Sequence, residues 1–277
     1  MIASPNCKIN IGLHIVRRRN DGYHDLETVF VPVPLRDELT IEPAGHFNFS
    51  QTGITINCNP ESNIIVKALR LMQHECDNRL PNVDINLQKN IPFGAGLGGG
   101  SSDAAFTLRM LNDLFDLGLS NDRLRSMAAK LGADCAFFID NQPAFATGIG
   151  DKLTPLGFNP LKGYKLLMVK PDETVSTAEA YGGIMPREHR NDIKPCNLTE
   201  AVKRPIPEWK EYIVNDFEET VFAKHPRLSE IKNTLYANGA LYAAMSGSGA
   251  TVYGIFENNF NVNINFDNNY NVYNFNL

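Results

Sequence analysis

The sequence predicts an α/β protein of the α+β type, in two domains. Three observations predict it. The first sixty residues read as a series of strands with antiparallel character. Five glycines in the seven positions 94–100 run straight into a helical pattern. A loop-rich stretch at 148–157 then separates an N-terminal domain, 1–155, from a C-terminal domain, 156–277. With 277 residues, the chain can hold one large domain or two moderate ones, each with a real core.

Composition narrows the function classes. The chain is 43% hydrophobic and 21% charged, as a folded globular protein should be. Its formal net charge of -5 supplies no overall basic field for nucleic acid or anionic lipid. Cys7, Cys58, Cys76, Cys135 and Cys196 are odd in number, and no two sit at metal-ligand spacing. They read as reduced thiols of a cytoplasmic protein. Pro5, Asn6, Lys8 and Asn10 break any apolar signal region, and no apolar run reaches the roughly 18 residues of a membrane span.

Residues 4–15 alternate. Cys7, Ile9, Ile11, Leu13 and Ile15 share one face, and Asn6, Lys8, Asn10 and His14 share the other. Period two means a strand with one buried face. Lys8 is then either a solvated lysine on an open face or, between two asparagines, part of a polar site. Arg17 to Gly22 is a turn, and Asp21-Gly22 is a strong hairpin signal. Three adjacent arginines in such a turn read as solvated. Residues 28–33 and 38–42 are further strands, separated by Pro32, Pro34 and Arg36-Asp37, and 46–57 adds another. Ser62 caps a helix running to about 76, with Ile65, Ala68, Leu69 and Met72 as its apolar stripe. Residues 83–87 alternate as a strand.

The glycine run follows, within Pro92-Phe93-Gly94-Ala95-Gly96-Leu97-Gly98-Gly99-Gly100-Ser101-Ser102-Asp103-Ala104-Ala105. Ordering glycine costs more entropy than ordering any other residue, so a run this dense is no ordinary turn. Ser101 serves as N-cap, and Ala104, Leu108, Leu111 and Phe115 recur at helical spacing. A glycine loop that feeds a helix N-terminus is an anion cradle, most often for phosphate. The flanking pattern is ordered and apolar, unlike a flexible linker. Gly94-x-Gly96-x-x-Gly99 formally matches the dinucleotide fingerprint. However, Asn86, Gln88, Lys89 and Asn90 interrupt the preceding segment and a proline separates it from the loop, whereas that site needs a buried strand running into the turn. No Gly-Lys-Ser/Thr closes it as a Walker loop.

The helix ends near Gly118. Ser120 starts another, with Leu124, Met127, Ala128 and Leu131 apolar and Gly132 closing it. Asp134 follows among small and apolar residues, and burying it unpaired would be expensive. It either caps a short helical turn or delivers a carboxylate to a cleft. Residues 164–169 form a buried strand, and 174–177 begin a helix carrying Tyr181. Residues 191–204 are polar and irregular. Residues 215–218 lead a helix with Val221 and Phe222, and 226–237 form another that ends at Gly239. Residues 241–245 and 252–256 are strands around the tight loop Ser246-Gly247-Ser248-Gly249-Ala250-Thr251. In the asparagine-rich last twenty residues, Phe260, Val262, Ile264 and Phe266, and then Tyr270 and Val272, alternate as strands would. The same biased composition also permits a frayed tail.

Three separated stretches coincide: Pro92 to Ala105, Lys8-Ile9-Asn10, and Ser246-Gly247-Ser248-Gly249-Ala250. Together they resemble the three motifs of the GHMP kinases, the superfamily of galactokinase and the homoserine, mevalonate and phosphomevalonate kinases. Further stretches are Ala3-Ser4-Pro5-Asn6-Cys7-Lys8-Ile9-Asn10, Asp21-Gly22-Tyr23-His24, Gly132-Ala133-Asp134 and Val175-Ser176-Thr177-Ala178-Glu179-Ala180-Tyr181. These are similar to the branch that acts in non-mevalonate isoprenoid synthesis, over residues 1 to about 256.

The resemblance implies a two-domain fold with the active site in the cleft between domains. It also implies transfer of the γ-phosphoryl of ATP to the 2-hydroxyl of a cytidine diphosphate derivative of methylerythritol. On the matching positions, Asp134 accepts the hydroxyl proton, and Lys8 beside it offsets charge as the phosphoryl group moves. Asn10 reaches the substrate or the phosphates. Pro92, Gly94, Ala95, Gly96, Leu97, Gly98, Gly99, Gly100, Ser101 and Ser102 cradle the polyphosphate, and Asn63 contacts adenine. Tyr23 and Tyr181 sandwich the cytosine, His24 bonds the base edge, and Thr177 lines the same pocket. Mg²⁺ arrives with ATP. No carboxylate pair clearly holds a metal, and Asp103 beside a phosphate site must point away or cooperate with Mg²⁺.

The expected partner is this small molecule, with neither nucleic acid nor membrane, and the chain is a monomer or homodimer. A homoserine- or mevalonate-type kinase is the alternative within the superfamily. The set Tyr23, His24 and Tyr181 argues against it, because those substrates carry no base to stack. A non-catalytic nucleotide-binding relative is the alternative outside catalysis, and retention of both Lys8 and Asp134 argues against that. The asparagine-rich end departs from the family pattern.

Overall fold

The computed structural model describes residues 1–55, 59–76, 80–191, 196–261 and 264–277. In chain order the strands are β1 (Ile2–Ala3), β2 (Asn6–Arg18), β3 (His24–Arg36), β4 (Glu38–Pro43), β5 (Asn48–Gly53), β6 (Val83–Lys89), β7 (Ala144–Thr147), β8 (Lys152–Pro155), β9 (Tyr164–Lys170), β10 (Tyr242–Met245), β11 (Val252–Glu257) and β12 (Asn271–Asn276). The helices are α1 (Ile64–Glu75), α2 (Gly99–Leu114), α3 (Asn121–Leu131), α4 (Phe137–Asp140), α5 (Thr177–Tyr181), α6 (Leu198–Ala201), α7 (Phe217–Lys224) and α8 (Pro226–Ala237).

The chain forms two compact units. One comprises Met1–Lys8, Pro34–Phe93 and Gly98–Gln142, and the other Ile9–Val33, Gly94–Leu97 and Pro143–Leu277. The expected cut at 155 divides the sequence, but contacts divide the chain differently. The reason is that β2 and β3, each of 13 residues, contribute to both units.

In the first unit the sheet order is β1-β4-β6-β5. β5 runs parallel to β6 and the other pairs are antiparallel. Val83, Ile85 and Leu87 point inward as their alternation requires, and Lys89 continues the same buried register. Asn63, not Ser62, caps α1, with its side chain accepting from the Ile65 amide at 2.9 Å. α2 starts three residues earlier than Ser101 would dictate, because Gly98 in the left-handed region (φ 68°) turns the chain into the helix. α3 opens as expected, with Ser120 accepting from the Arg123 amide, and ends at Gly132 in extended backbone rather than a left-handed cap.

In the second unit β10-β11-β9-β12 is antiparallel throughout. The sheet order β2-β3-β7-β8 is the third layer of strands in the chain. The expected break before β4 falls at Asp37, but β3 runs on through Pro32 and Pro34 to Arg36, past its expected end at 33. Its pairing with β7 ends at Phe30, and beyond that point a missing proline N–H is tolerated on a free edge. β2 departs from expectation too. Its residues from Asn6 to Ile15 are buried on both faces, Lys8 included, so the solvated-lysine alternative fails.

The core of the second unit gathers Leu13, Ile15 and Leu26 with Val169, Val221, Leu228, Leu235, Met245 and Phe256. Residues 198–201, expected to be irregular, form α6 under an Asn197 cap. β12 pairs along the length of β9, so Val272 does lie in a strand. Ile264 and Phe266 are irregular. Val262, Cys58, the end of the 46–57 strand at Ile56 and Asn57, and residues 192–195 lie outside the described residues. No disulfide joins Cys7, Cys76, Cys135 and Cys196 to one another. Among the described residues no helix is long and apolar enough to cross a membrane.

Candidate active site

In the first unit β2 carries Lys8 inward, and a 3-10 turn at Ala133–Cys135 carries Asp134 toward it. Lys8 Nζ stands 3.3 Å from Asp134 Oδ2. The lysine side chain is 3% exposed and the aspartate 32%, so the ammonium is enclosed while the carboxylate keeps a face open to an incoming group. The cap positions of this turn and of α4 are Gly132 and Ala136, so Asp134 is not a capping residue. Lys8 also explains a glycine: a Cβ at position 98 would sit 3.1 Å from Lys8 Cε and 3.2 Å from Phe138.

α2 begins at that glycine. Its N-cap has no side chain, so no side-chain cap satisfies the first helical amides. Gly94, Gly96 and Gly98 are all left-handed, at φ 61°, 72° and 68°, and the residues between them, Ala95 and Leu97, are buried and anchor the arc. The arc has an open side, because a Cβ at Gly94 would meet nothing within 4 Å and one at Gly100 only Ile64, at 3.7 Å. Amides at a helix start without a side-chain cap fit an anionic polyphosphate. Pro92 is buried before the loop. Ser101 lies in the first turn of α2, and the buried Ser102 Oγ has no hydrogen-bond partner. Asn63, which is buried, spends its Oδ1 on the α1 cap.

In the second unit the arc 94–97 rests on the Ser246–Thr251 loop. Ser246 Oγ donates to the Gly96 carbonyl at 2.9 Å and accepts from the Asn10 amide at 3.3 Å. Thr251 N donates to the Ala95 carbonyl. Asn215, not foreseen as a site residue, holds that loop by donating Nδ2 to the Met245 and Gly247 carbonyls at 2.8 Å each. Asn10 is positioned by two further residues that sequence reading missed. Its Nδ2 donates to Thr28 Oγ1 at 3.0 Å, and its carbonyl accepts from Tyr253 O–H at 2.8 Å. Thr28 lies on the neighbouring β3 and Tyr253 on β11 of another sheet, placements that only the folded chain reveals.

The structure brings His24 and Tyr181 together and leaves Tyr23 apart from that stack. The His24 and Tyr181 rings stack with centroids 4.8 Å apart at 22°, and Phe217 meets Tyr181 edge-on, also at 4.8 Å. Tyr23 is 61% exposed, and Thr177 is exposed at the start of α5. Burial, with Arg18 adding to it, holds the His24 pKa below its ordinary value. The imidazole is therefore uncharged at neutral pH and suited to stacking.

Asp103 points away from the loop. It accepts from Lys89 Nζ at 2.8 Å, and the same ammonium pairs with Asp37. Burial, joined by the Asp37 carboxylate and opposed by Lys89, pushes its pKa up to about 7. A carboxyl raised in the folded state stabilises most below its unfolded pKa of 3.8 and loses that contribution as pH rises through about 7. The contribution of Asp103 to the unfolding free energy should therefore fall between those values. Asp103→Asn should flatten the slope in that window, and an unchanged slope would reject the assignment. Asp37, Lys89 and Asp103 are the charged groups that face one another here, from the β3–β4 junction, β6 and α2. No three His, Cys, Asp or Glu side chains among the described residues form a metal-ligand group.

The chain matches two family descriptions, GHMP kinases N terminal domain over residues 63–148 and GHMP kinases C terminal over residues 180–264. It is 53% identical over 261 residues to a 4-diphosphocytidyl-2-C-methyl-D-erythritol kinase of Bacteroides thetaiotaomicron, covering 93% of this chain and 92% of the relative. It is 49% identical to the protein of that name from Parabacteroides distasonis, covering 93% and 92%. A crystal structure of 4-(cytidine 5'-diphospho)-2C-methyl-D-erythritol kinase aligns with a TM-score of 0.76 and 31% identity, over 92% of this chain and 90% of that one.

Proposed function

The chain belongs to the 4-diphosphocytidyl-2-C-methyl-D-erythritol kinases within the GHMP kinases, and from that premise we propose how its own residues carry the reaction. The reaction is ATP-dependent phosphorylation of the 2-hydroxyl of 4-diphosphocytidyl-2-C-methyl-D-erythritol, in the non-mevalonate route to isoprenoid precursors. It yields the 2-phosphate and ADP. The observation that carries the assignment of roles is the enclosed Lys8 ammonium 3.3 Å from the part-exposed Asp134 carboxylate.

Asp134 receives the proton of the 2-hydroxyl as that oxygen bonds to the γ-phosphorus. The bridging oxygen leaves with ADP, and Lys8 balances the charge that shifts across the pair. The transition state is loose, so holding the hydroxyl in line matters at least as much as removing its proton. The amides from Gly94 to Ser102 hold the triphosphate. Asn63 meets the adenine, and Asn10 meets the acceptor or the phosphates. Mg²⁺ would arrive on the nucleotide's phosphates and would there offset their charge.

Tyr181 offers its ring to the cytosine, with His24 and Thr177 beside it and Tyr23 as the exposed aromatic that closes over the base. Cysteines without a disulfide among the described residues support a cytoplasmic location.

ADP release measured on 4-diphosphocytidyl-2-C-methyl-D-erythritol, mevalonate and homoserine tests the substrate. Turnover is expected with the cytidine compound alone, and turnover with either other acceptor overturns the reading. Tyr181→Ala should raise KM for the cytidine substrate about tenfold, the order of one base–aromatic stack, with KM for ATP unchanged. An unchanged acceptor KM removes Tyr181 from the pocket.

A further inference from the structure

The first unit buries three charged side chains that the reaction does not use. Asp37, Lys89 and Asp103 are each no more than 2% exposed. Burying charge is expensive, and an apolar trio of similar volume would commonly hold the fold as well or better. What the cluster touches suggests why it is charged. Asp37 Oδ1 accepts from the amides of Asn90 at 2.6 Å and Ile91 at 2.8 Å, which are the residues that enter the glycine run. Asp103 stands on α2, just under one turn after the run ends. Lys89 Nζ bonds both carboxylates. It also lies under the helix start, where a Cβ on Gly99 would come within 3.0 Å of it. Both ends of the run are thereby tied to one ammonium.

We infer that the Asp37–Lys89–Asp103 cluster sets the geometry of the nucleotide-binding loop, with Asp37 and Asp103 as positioning residues. This rests on the reading that the glycine run holds the triphosphate. A role as phosphate attractor is poorly served, because two carboxylates surround the one ammonium. Direction is what the cluster supplies. Hydrogen bonds to fixed carboxylate oxygens allow one orientation of the entering amides, where apolar packing would tolerate several. Glycine makes that necessary, since left-handed and right-handed backbone are nearly equal for it.

The experiment uses the full-length enzyme, with separate KM values for ATP and for the cytidine substrate and the thermal upshift given by ATP alone. Asp37→Asn keeps the volume and halves the acceptor capacity. It should raise KM for ATP about tenfold, leave KM for the acceptor within twofold and shrink the ATP upshift. Asp103→Asn should raise KM for ATP several-fold, and it decides the question if Asp37→Asn does not fold. A merely structural cluster would lower the melting temperature and leave both KM values unchanged, and that result overturns the inference. Gly100→Asp separates the two readings, because it adds a carboxylate at the helix start where there is room. If it abolishes ATP binding while the cluster variants do not, the cluster inference alone fails. If it leaves ATP binding intact, the loop reading fails and takes this inference with it.

Discussion

Asp134→Asn lowers kcat by about 10²- to 10⁴-fold, the range for losing a positioned acid–base group, and leaves ATP affinity near wild type. The amide preserves shape and size, so the fold should survive. The side chain is 32% exposed, which limits any burial penalty. What disappears is the negative charge that faces Lys8 Nζ and the oxygen proposed to take the hydroxyl proton. The loop amides lie on other residues and keep their hold on the nucleotide. Steady-state kinetics and calorimetric ATP titration on the same preparation separate the two effects. A fully active Asp134→Asn would remove the residue from proton transfer. A matching loss of ATP binding would make it a nucleotide contact instead.

Gly96→Ala should raise KM for ATP by tenfold or more and lower the melting temperature. Left-handed backbone alone costs a side chain about 1–2 kcal/mol, and Gly96 sits at φ 72°. The steric clash costs more. A Cβ there would run into the Ser246 carbonyl and come within 3.2 Å of the Gly249 amide. Both obstacles are backbone, so no rotamer relieves them, and the arc 94–97 must lift from the Ser246–Thr251 loop. Gly163→Ala is the control. It is also left-handed, at φ 85°, but a Cβ there meets nothing within 4 Å. It should show the strain without any change in KM for ATP. Equal behaviour of the two variants would mean that the seat on Ser246 is unimportant.

Much of this was legible in the sequence because it is local. Alternation in 6–15 marked β2, the glycine density marked the left-handed loop before the helix, and helical spacing marked α2. What escaped was settled by partners distant in the chain. Lys8 could be assigned to no environment from β2 alone, since its partner Asp134 and its neighbour Gly98 come from later segments. Ser101 looked like the better cap, but a left-handed Gly98 ends the loop earlier than any side-chain preference could indicate. Lys89 was read as a polar interruption, although it keeps the register of Val83, Ile85 and Leu87. Its burial becomes intelligible only once Asp37 and Asp103 are seen beside it. The asparagine-rich end left strand and frayed tail equally open, and the long ladder with β9 decided for a strand at Asn271–Asn276. Tyr23 and Tyr181 were paired by motif, whereas the ring stacked on Tyr181 is that of His24, a contact the motif did not indicate.

The two long strands shared between the units also bear on how the molecule can be taken apart. A piece spanning 143–277 would be missing Leu13, Ile15 and Leu26, which complete the cluster around Leu228 and Met245. Expressed by itself it would present a raw apolar surface and precipitate. Supplying the first 142 residues from a second gene should restore it, so that each half is insoluble alone and the two together give active kinase.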